Sequence, residues 1–266
     1  MEIGNAVRYA LSGGGKRLRG LLVLASYRAA GGLDDAGSIA ASVEIVHAYS
    51  LVHDDLPCMD DDDMRRGRLA THRAFSVSAA ATAGAVMVPL AARAAWRGAT
   101  ELRLPEVAGC TIVKTLMRAA GAGGMIGGQL LDLTGEGRTL TRDDLDLMHT
   151  AKTGALISAS VRLGAMAAGA TKAGSDALGR YGECIGLAFQ IMDDVLDVTS
   201  SSHQLGKTAG RDAKLGKSTY PALLGVDGAR SRAASLVSDG CTALKEEHLL
   251  TGELEELASF IVSRSH

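Results

Sequence analysis

Two carboxylate clusters lie inside otherwise apolar sequence: Asp54-Asp55-Leu56-Pro57-Cys58-Met59-Asp60-Asp61 and, far along the chain, Asp193-Asp194-Val195-Leu196-Asp197. Carboxylates placed in a core cost several kcal/mol each unless they are paired or bound to a cation. Neither segment carries enough Lys or Arg to supply that pairing, so positive charge must come from outside. Asp193 and Asp197 are four apart, and a helix stacks them on one face while Val195 and Leu196 pack elsewhere. A continuous helix would turn Asp54 and Asp60 to different faces, but Pro57 disfavours helical backbone at Leu56 and can bend the chain back, so that the two chelate together. Hard oxygen ligands from two walls, with no His or Cys spacing, fit magnesium that keeps waters and takes its remaining ligands from phosphate. A single acidic run reads as a solvated face. Two such runs, preceded by Ser50-Leu51-Val52-His53 and by Phe189-Gln190-Ile191-Met192, do not.

Basic residues collect where anions could be held. Ser12-Gly13-Gly14-Gly15-Lys16-Arg17-Leu18-Arg19 joins a flexible turn to three cations and suits phosphate oxygens. Arg65-Arg66 directly follow the first acidic cluster and, taken alone, read equally well as charge balance for Asp60 to Asp63. Lys152, Lys207 and Lys217, taken singly, read as surface lysines. Gly206-Lys207-Thr208 and Gly216-Lys217-Ser218 resemble the end of a nucleotide-binding P-loop. The first has Ser201 where the leading glycine belongs, the second has the wrong spacing from Gly210, and neither follows a strand. His47 lies seven residues before Asp54, two helical turns up the same face, where it would look into a metal cavity. His53, His72 and His149 read as satisfied core histidines.

The elements that must position these groups are helices. Apolar residues recur at helical spacing over 17–30, 36–56, 70–98, 105–132, 141–169, 173–200, 218–236 and 251–264, and strand-like alternation is nearly absent. Gly31-Gly32 ends one helix, Pro105 can open another in its first turn, and Thr141 with Asp144 forms an approximate capping box. No linker or low-complexity break divides residues 1–266, so the expectation is an all-α, single-domain antiparallel bundle around a central cavity.

Composition narrows the class further. Hydrophobic residues make up 47% of the chain but aromatics only 3%, with four prolines, which fits close helix packing. The net charge of -2 provides no global field for nucleic acid or an anionic membrane. Four cysteines far apart, with no CxxC pair, fit reduced thiols in a cytoplasmic protein. The apolar run after Arg19 is too short for an export signal, and residues 79–96, rich in Ala and Gly and interrupted by Pro89 and Arg93, fall short of a membrane span.

Taken together, the chain resembles the short-chain trans-prenyl diphosphate synthases, the bacterial farnesyl and geranylgeranyl type. The motifs that carry the resemblance run in order along nearly the whole chain: Gly14-Gly15-Lys16-Arg17-Leu18-Arg19, His47 through Asp60, Gly127-Gly128-Gln129, Lys152-Thr153-Gly154-Ala155-Leu156, Phe189-Gln190 with Asp193, Asp194 and Asp197, and Leu215 through Pro221. The resemblance implies a head-to-tail condensation of isopentenyl diphosphate with an allylic diphosphate, in an all-helical homodimer that uses magnesium. It implies Asp54, Asp60 and Asp193 as magnesium ligands, supported by Asp55, Asp194 and Asp197. Lys16, Arg19, His47 and Arg66 would hold isopentenyl diphosphate. Arg65, Lys152, Gln190, Lys207 and Lys217 would hold the allylic diphosphate, with Lys152, Thr153 and Gln190 near the developing carbocation. The depth of an apolar tunnel would set product length, and Tyr49 and Ser50, five and four residues before Asp54, would stop growth at farnesyl diphosphate; geranylgeranyl diphosphate is the alternative because Ser50 is small.

The chain departs from the family pattern in places. Gly20 stands where Pro is common, Ser76-Val77 where Gly-Glu is usual, and Ala85 where Asp follows Gly, and only a short stretch precedes the Gly-rich motif. A class I terpene cyclase would share the first acidic motif, but its second normally pairs Asn or Asp with Ser and Glu and it has no counterpart of Lys16 and Arg19. A non-catalytic subunit of a heteromeric synthase is the third reading, against which both acidic motifs stand intact.

Overall fold

The computed structural model describes residues 2–199 and 216–264. The described elements are α1 (Glu2–Leu11), α2 (Leu18–Ala29), α3 (Gly37–Asp54), a small hairpin of β1 (Met64–Arg65) and β2 (Arg68–Leu69), α4 (Thr71–Ala74), α5 (Val77–Glu101), α6 (Glu106–Ala120), α7 (Met125–Gly135), α8 (Arg142–His149), a π turn (Thr150–Gly154), α9 (Ala155–Ala167), α10 (Lys172–Thr199), α11 (Tyr220–Glu246) and α12 (Gly252–Ser263). The expected all-α bundle is found, and the one strand pair is antiparallel, Met64 opposite Leu69 and Arg65 opposite Arg68.

Local chemistry accounts for most boundaries. Thr141 and Asp144 form a reciprocal capping box at α8, and Thr219 and Thr251 cap α11 and α12 by accepting from Ala222 and Leu254 amides. The helical pattern read over 70–98 is two helices, because Phe75 leaves helical backbone and Ser76 caps a new start by accepting from the Ala79 amide at 3.1 Å. The pattern over 105–132 likewise splits, at Gly121–Gly124. α11 extends ten residues past the expected end at 236, to Glu246, and passes a bend at Gly225, whose φ of 71° favours glycine. Gly20 uses what a proline would lack, since its amide donates to Glu44 Oε1 at 2.9 Å.

Two large apolar clusters, with a small third one of Val52, Leu56 and Ala80, form the core among the described residues. One joins α2, α9, α10, α11 and α12 through residues such as Leu22, Ile157, Leu178, Tyr181, Ile185, Leu244 and Ile261. The other joins α2, α3, α5, α6 and α9 through Val23, Ile39, Val43, Met87, Ile112, Leu156 and Leu163. Each fully buried aliphatic side chain contributes about 1.5–3 kcal/mol. α5 is long and apolar enough to cross a membrane by length and composition alone, which exceeds the expectation for residues 79–96. Ala80, Ala83, Met87, Ala91 and Ala95 are nevertheless fully buried, and the helix packs on α3, α6 and α1.

The π turn interrupts the regular helix between α8 and α9 without breaking the chain direction, a feature frequent at functional sites. It fits because two neighbours lack side chains. A Cβ on Gly128 of α7 would lie 2.1 Å from the Lys152 amide nitrogen, and one on Gly186 of α10 would lie 2.9 Å from the Gly154 Cα. Gly128→Ala should therefore destabilise the protein by about 2 kcal/mol or more, whereas Gly4→Ala, in open space on α1, should be neutral or stabilising. Urea unfolding midpoints of the two variants check this, and equal midpoints would refute the close approach.

Candidate active site

The fold gathers most of the chemically capable residues around one cavity of about 300 Å³. α3 brings His47, Ser50, Leu51 and Asp54 to its wall; α7 brings Met125, Gln129 and Asp132; α8 and the π turn bring Met148, His149, Lys152 and Thr153; α10 brings Phe189, Gln190, Asp193, Asp194 and Asp197. Arg19, Asp60, Asp62, Arg65, Leu156 and the Lys217–Thr219 segment complete the lining.

The first acidic cluster folds back as Pro57 suggests. α3 stops at Asp54, and the Asp60 amide donates to the Asp54 carbonyl at 2.8 Å, returning Asp60 beside Asp54. Burial, reinforced by Asp60, pushes the Asp54 carboxyl up to about 6, although Lys152 works in the other direction. Asp60 Oδ1 is buried without a hydrogen-bond partner among the described residues, with Lys217 Nζ at 4.0 Å. Asp55 points elsewhere. It is 2% exposed and takes the Arg65 guanidinium through Nε at 2.9 Å and through Nη2, and Arg65 also reaches Asp62 at 3.4 Å.

The second cluster divides its work as well. Asp193 receives Arg264 Nη2 at 2.7 Å, and that guanidinium also donates to the Phe189 carbonyl at 2.6 Å and lies 3.8 Å over the Phe189 ring. Asp194 uses both oxygens on protein donors: His149 Nε2 at 3.0 Å, the Tyr220 amide at 3.1 Å and Gln190 Nε2 at 3.1 Å. Asp197 is buried and lines the cavity.

Between the acidic clusters sits a cationic pair. Lys152 Nζ and Lys217 Nζ both meet Asp132 Oδ2, at 2.5 and 2.8 Å. Burial works against ionisation of Asp132, but the two ammonium groups outweigh it and hold the carboxyl below its usual range. Burial likewise works against the Lys152 ammonium, and Asp132 and Asp54 outweigh it and raise that group. A second cationic group gathers near α2. Burial lowers Arg19 to about 10, and its Nε has no partner among the described residues. Burial, then Arg19, pushes His47 well below the usual histidine range. His47 is thus neutral and accepts at Nε2 from Arg66 Nη2 at 3.2 Å, while Arg66 Nη1 donates to the Gly14 carbonyl.

Some expected residues stand apart. Lys16 is not in the cavity lining; its ammonium lies 4.7 Å over the Phe260 ring. Arg66 and Asp55 act from behind lining residues. Ser50 lines the cavity with its hydroxyl on the His47 carbonyl at 2.9 Å, whereas Tyr49 is buried behind it, edge-on to His53 at 4.7 Å between ring centroids. Lys207 lies outside the described residues. His53 behaves as a core histidine, with Nε2 3.2 Å from the Ala81 carbonyl. His72 is buried but neither ring nitrogen has a partner among the described residues, which corrects its reading as satisfied.

Sequence reasoning missed Asp132 and Arg264 and gave Gln129 no role; its reading of His149 as a satisfied core histidine holds, through the bond to Asp194, but did not place that ring at the cavity wall. Gln129 is 7% exposed with both amide atoms unpartnered among the described residues, so a polar group of the cavity's contents is needed to satisfy it. His149 was findable from its position three residues before Lys152, on the same helical face. Asp132 stands likewise three residues after Gln129. Arg264 carries no local signal, because its partner is Asp193 on α10. The assembled cavity can hold a polyanion against two cationic groups and shield it with Leu51, Met125, Met148 and Leu156.

Known proteins share this chain's sequence and fold. The polyprenyl synthetase family model matches residues 1–248. Farnesyl diphosphate synthase of Escherichia coli (strain K12) is 45% identical over 97% of this chain and 88% of that protein. Geranylgeranyl pyrophosphate synthase 9, chloroplastic, of Arabidopsis thaliana is 40% identical over 99% of this chain and 74% of that protein. Among solved structures, the geranyltransferase from Helicobacter pylori complexed with magnesium and isoprenyl diphosphate superposes with a TM-score of 0.85 and 31% identity, covering 98% of this chain and 86% of that one. The architecture, the order of the motifs and these matches agree: the chain belongs to the polyprenyl synthetase family.

Proposed function

We propose that this protein condenses isopentenyl diphosphate head-to-tail with an allylic diphosphate, dimethylallyl or geranyl, to give farnesyl diphosphate, and releases diphosphate with magnesium as cofactor. Prenyl transfer and chain elongation follow from its relatives, farnesyl and geranylgeranyl diphosphate synthases. The observation that carries the reading is that Asp54, Asp60 and Asp193 share one cavity with Lys152 and Lys217 on one side and with Arg19 and His47 on another.

Magnesium is tested by the donors themselves. No three His, Cys, Asp or Glu side chains form a ready cage among the described residues, which suits a hard cation that completes its shell with water and substrate oxygens. Asp60 Oδ1, buried without a hydrogen-bond partner among the described residues, and the Asp54 carboxyl, held up at about 6 despite Lys152, are oxygen donors that nearby cations only partly compensate. Asp54, Asp60 and Asp193 would hold the ion. When bound, it supplies positive charge to the diphosphate that departs.

The chain's own groups do the rest. Lys152 and Lys217 stabilise negative charge on the leaving diphosphate, and Arg19, with His47 backed by Arg66, orients the second diphosphate so that its double bond faces the allylic carbon. Thr153 Oγ and Gln190 line the wall where the cation develops. The apolar lining excludes water that would otherwise trap that cation. No protein nucleophile is required. Growth of the product runs toward Ser50 and Tyr49. Geranylgeranyl diphosphate is the second reading, favoured by small Ser50 at the wall with Tyr49 behind it.

Assembly and location belong to the same proposal. Val86 and Trp96 of α5 are 44% and 41% exposed and Val107 of α6 is 78% exposed, apolar side chains that a second copy in a homodimer would cover. Its four free thiols suit work in the cytoplasm.

The deciding assay supplies magnesium, isopentenyl diphosphate and each allylic primer, then sizes the products. The parent should elongate to farnesyl diphosphate, and Asp54→Ala and Asp193→Ala should each lose about 10²-fold or more in kcat while remaining folded. Near-normal turnover in either variant sinks the metal assignment, and elongation past farnesyl favours the second reading. Sedimentation equilibrium should give twice the 27.4 kDa chain mass; a monomer at micromolar concentration would refute the dimer. Asp54 also predicts a pH dependence. Its folded pKa lies above the ordinary carboxyl value of 3.8, so its contribution to stability is full below that value and is lost as pH rises through about 6. With EDTA present, the urea midpoint of the parent should fall between pH 5 and 7.5, and Asp54→Asn should fall less. Identical pH profiles would show that Asp54 ionises without penalty.

A further inference from the structure

Asp194 is joined to the cavity wall by groups whose donor and acceptor roles admit one arrangement. A backbone amide only donates and an ionised carboxylate only accepts. With Tyr220 N–H and His149 both at Oδ2, His149 carries its proton on Nε2. Gln190 must then turn its NH2 to Oδ1 of Asp194, which leaves its Oε1 to accept from Thr153 Oγ at 2.7 Å. Thr153 has one hydroxyl proton, and it is spent on Gln190. Its oxygen therefore meets the cavity with lone pairs alone. His149 is itself held: it is 4% exposed, its ring stacks on Tyr220 at 5.9 Å and 25°, and the Tyr220 hydroxyl binds Asp146, one turn before His149 on α8.

We infer that His149 is a positioning residue that, beside the Tyr220 amide, pins the Asp194 carboxylate so that its Oδ1 stays within reach of the Gln190 NH2, which leaves Thr153 to spend its proton on Gln190 and the wall to offer an acceptor oxygen to the developing allylic cation. This rests on the prenyl transfer proposed above. With the Gln190 amide reversed, its NH2 would face Thr153, and the Thr153 proton would turn toward the cavity. A proton dipole aimed at a forming cation destabilises it, where a lone pair stabilises it. His149 moves no proton and touches no reacting atom in this role. It holds the carboxylate that holds the amide.

The test uses the full chain in five variants, Thr153→Val alone among them, with two readouts. His149→Leu should lower kcat by about 10- to 100-fold, the range for loss of an outer-shell partner, while leaving KM for isopentenyl diphosphate within about 3-fold. His149→Gln, which can place an N–H near the Nε2 position, should recover most of the loss; His149→Asn, too short to do so, should not. Because His149 acts through Thr153, the double variant with Thr153→Val should lose no more than the worse single variant. The second readout is independent of turnover. The side-chain amide protons of Gln190, followed by NMR on labelled protein, should exchange slowly in the parent and in His149→Gln, and at least about 10-fold faster in His149→Leu and His149→Asn. Parental kcat in His149→Leu, fully additive losses, or unchanged Gln190 exchange would each overturn the inference. A parent that transfers no prenyl group would refute the proposed function instead, and the amide exchange would still decide the network.

Discussion

The burial of unlike charges in a single helical cavity constrains everything else in this molecule. Asp132 illustrates it. One carboxylate oxygen receives two ammonium groups, Lys152 from the π turn and Lys217 from the segment leading into α11, so three elements distant in sequence are tied at one point. Removing one member of such a set would leave a buried charge uncompensated, which is far more costly than never having built it. The same reasoning applies at Asp55 with Arg65 and at Asp193 with Arg264. The acids that retain unmet demand are Asp54, held up at about 6, and Asp60, with a buried orphan oxygen. Among the acids lining the cavity, Asp132 and Asp193 are met by the protein's own cations, while Asp54 and Asp60 are left under-compensated.

Such a cavity needs backbone brought closer than side chains normally allow. Gly128 and Gly186 supply it by letting α7 and α10 press against the π turn. The turn's altered hydrogen bonding in turn aims Lys152 toward Asp132 and Thr153 toward Gln190. Local irregularity, small residues and charged side chains are therefore one device.

Much of this could be read from residue order, and the remainder is informative. The fold-back of the first acidic cluster followed from Pro57, because a proline restricts the residue before it. The second cluster followed from four-residue spacing on α10. Thr141 with Asp144 announced the start of α8. Helix ends were harder where glycine was tolerated inside a helix: Gly225 and Gly228 dilute the apolar pattern of α11, which nonetheless continues to Glu246. A lone acid or histidine in an apolar stretch, such as Asp132 or His149, looks the same in sequence whether it is solvated or buried, since its partner lies on another element. Arg264 is the extreme case, paired with a residue on α10 by tertiary packing alone.

α2 and α9 contribute side chains to both large apolar clusters, Leu22 and Val23 going to different clusters on one helix, Ile157 and Leu156 on the other. The two halves of the bundle are thus stitched along two shared seams. A molecule built this way lacks an inexpensive fracture plane: separating the halves would strip both seams at once, and unfolding is expected to be a single concerted event rather than a sequence of partial ones. The cavity lies between elements of both halves, so its shape is maintained by the cooperativity of the entire bundle.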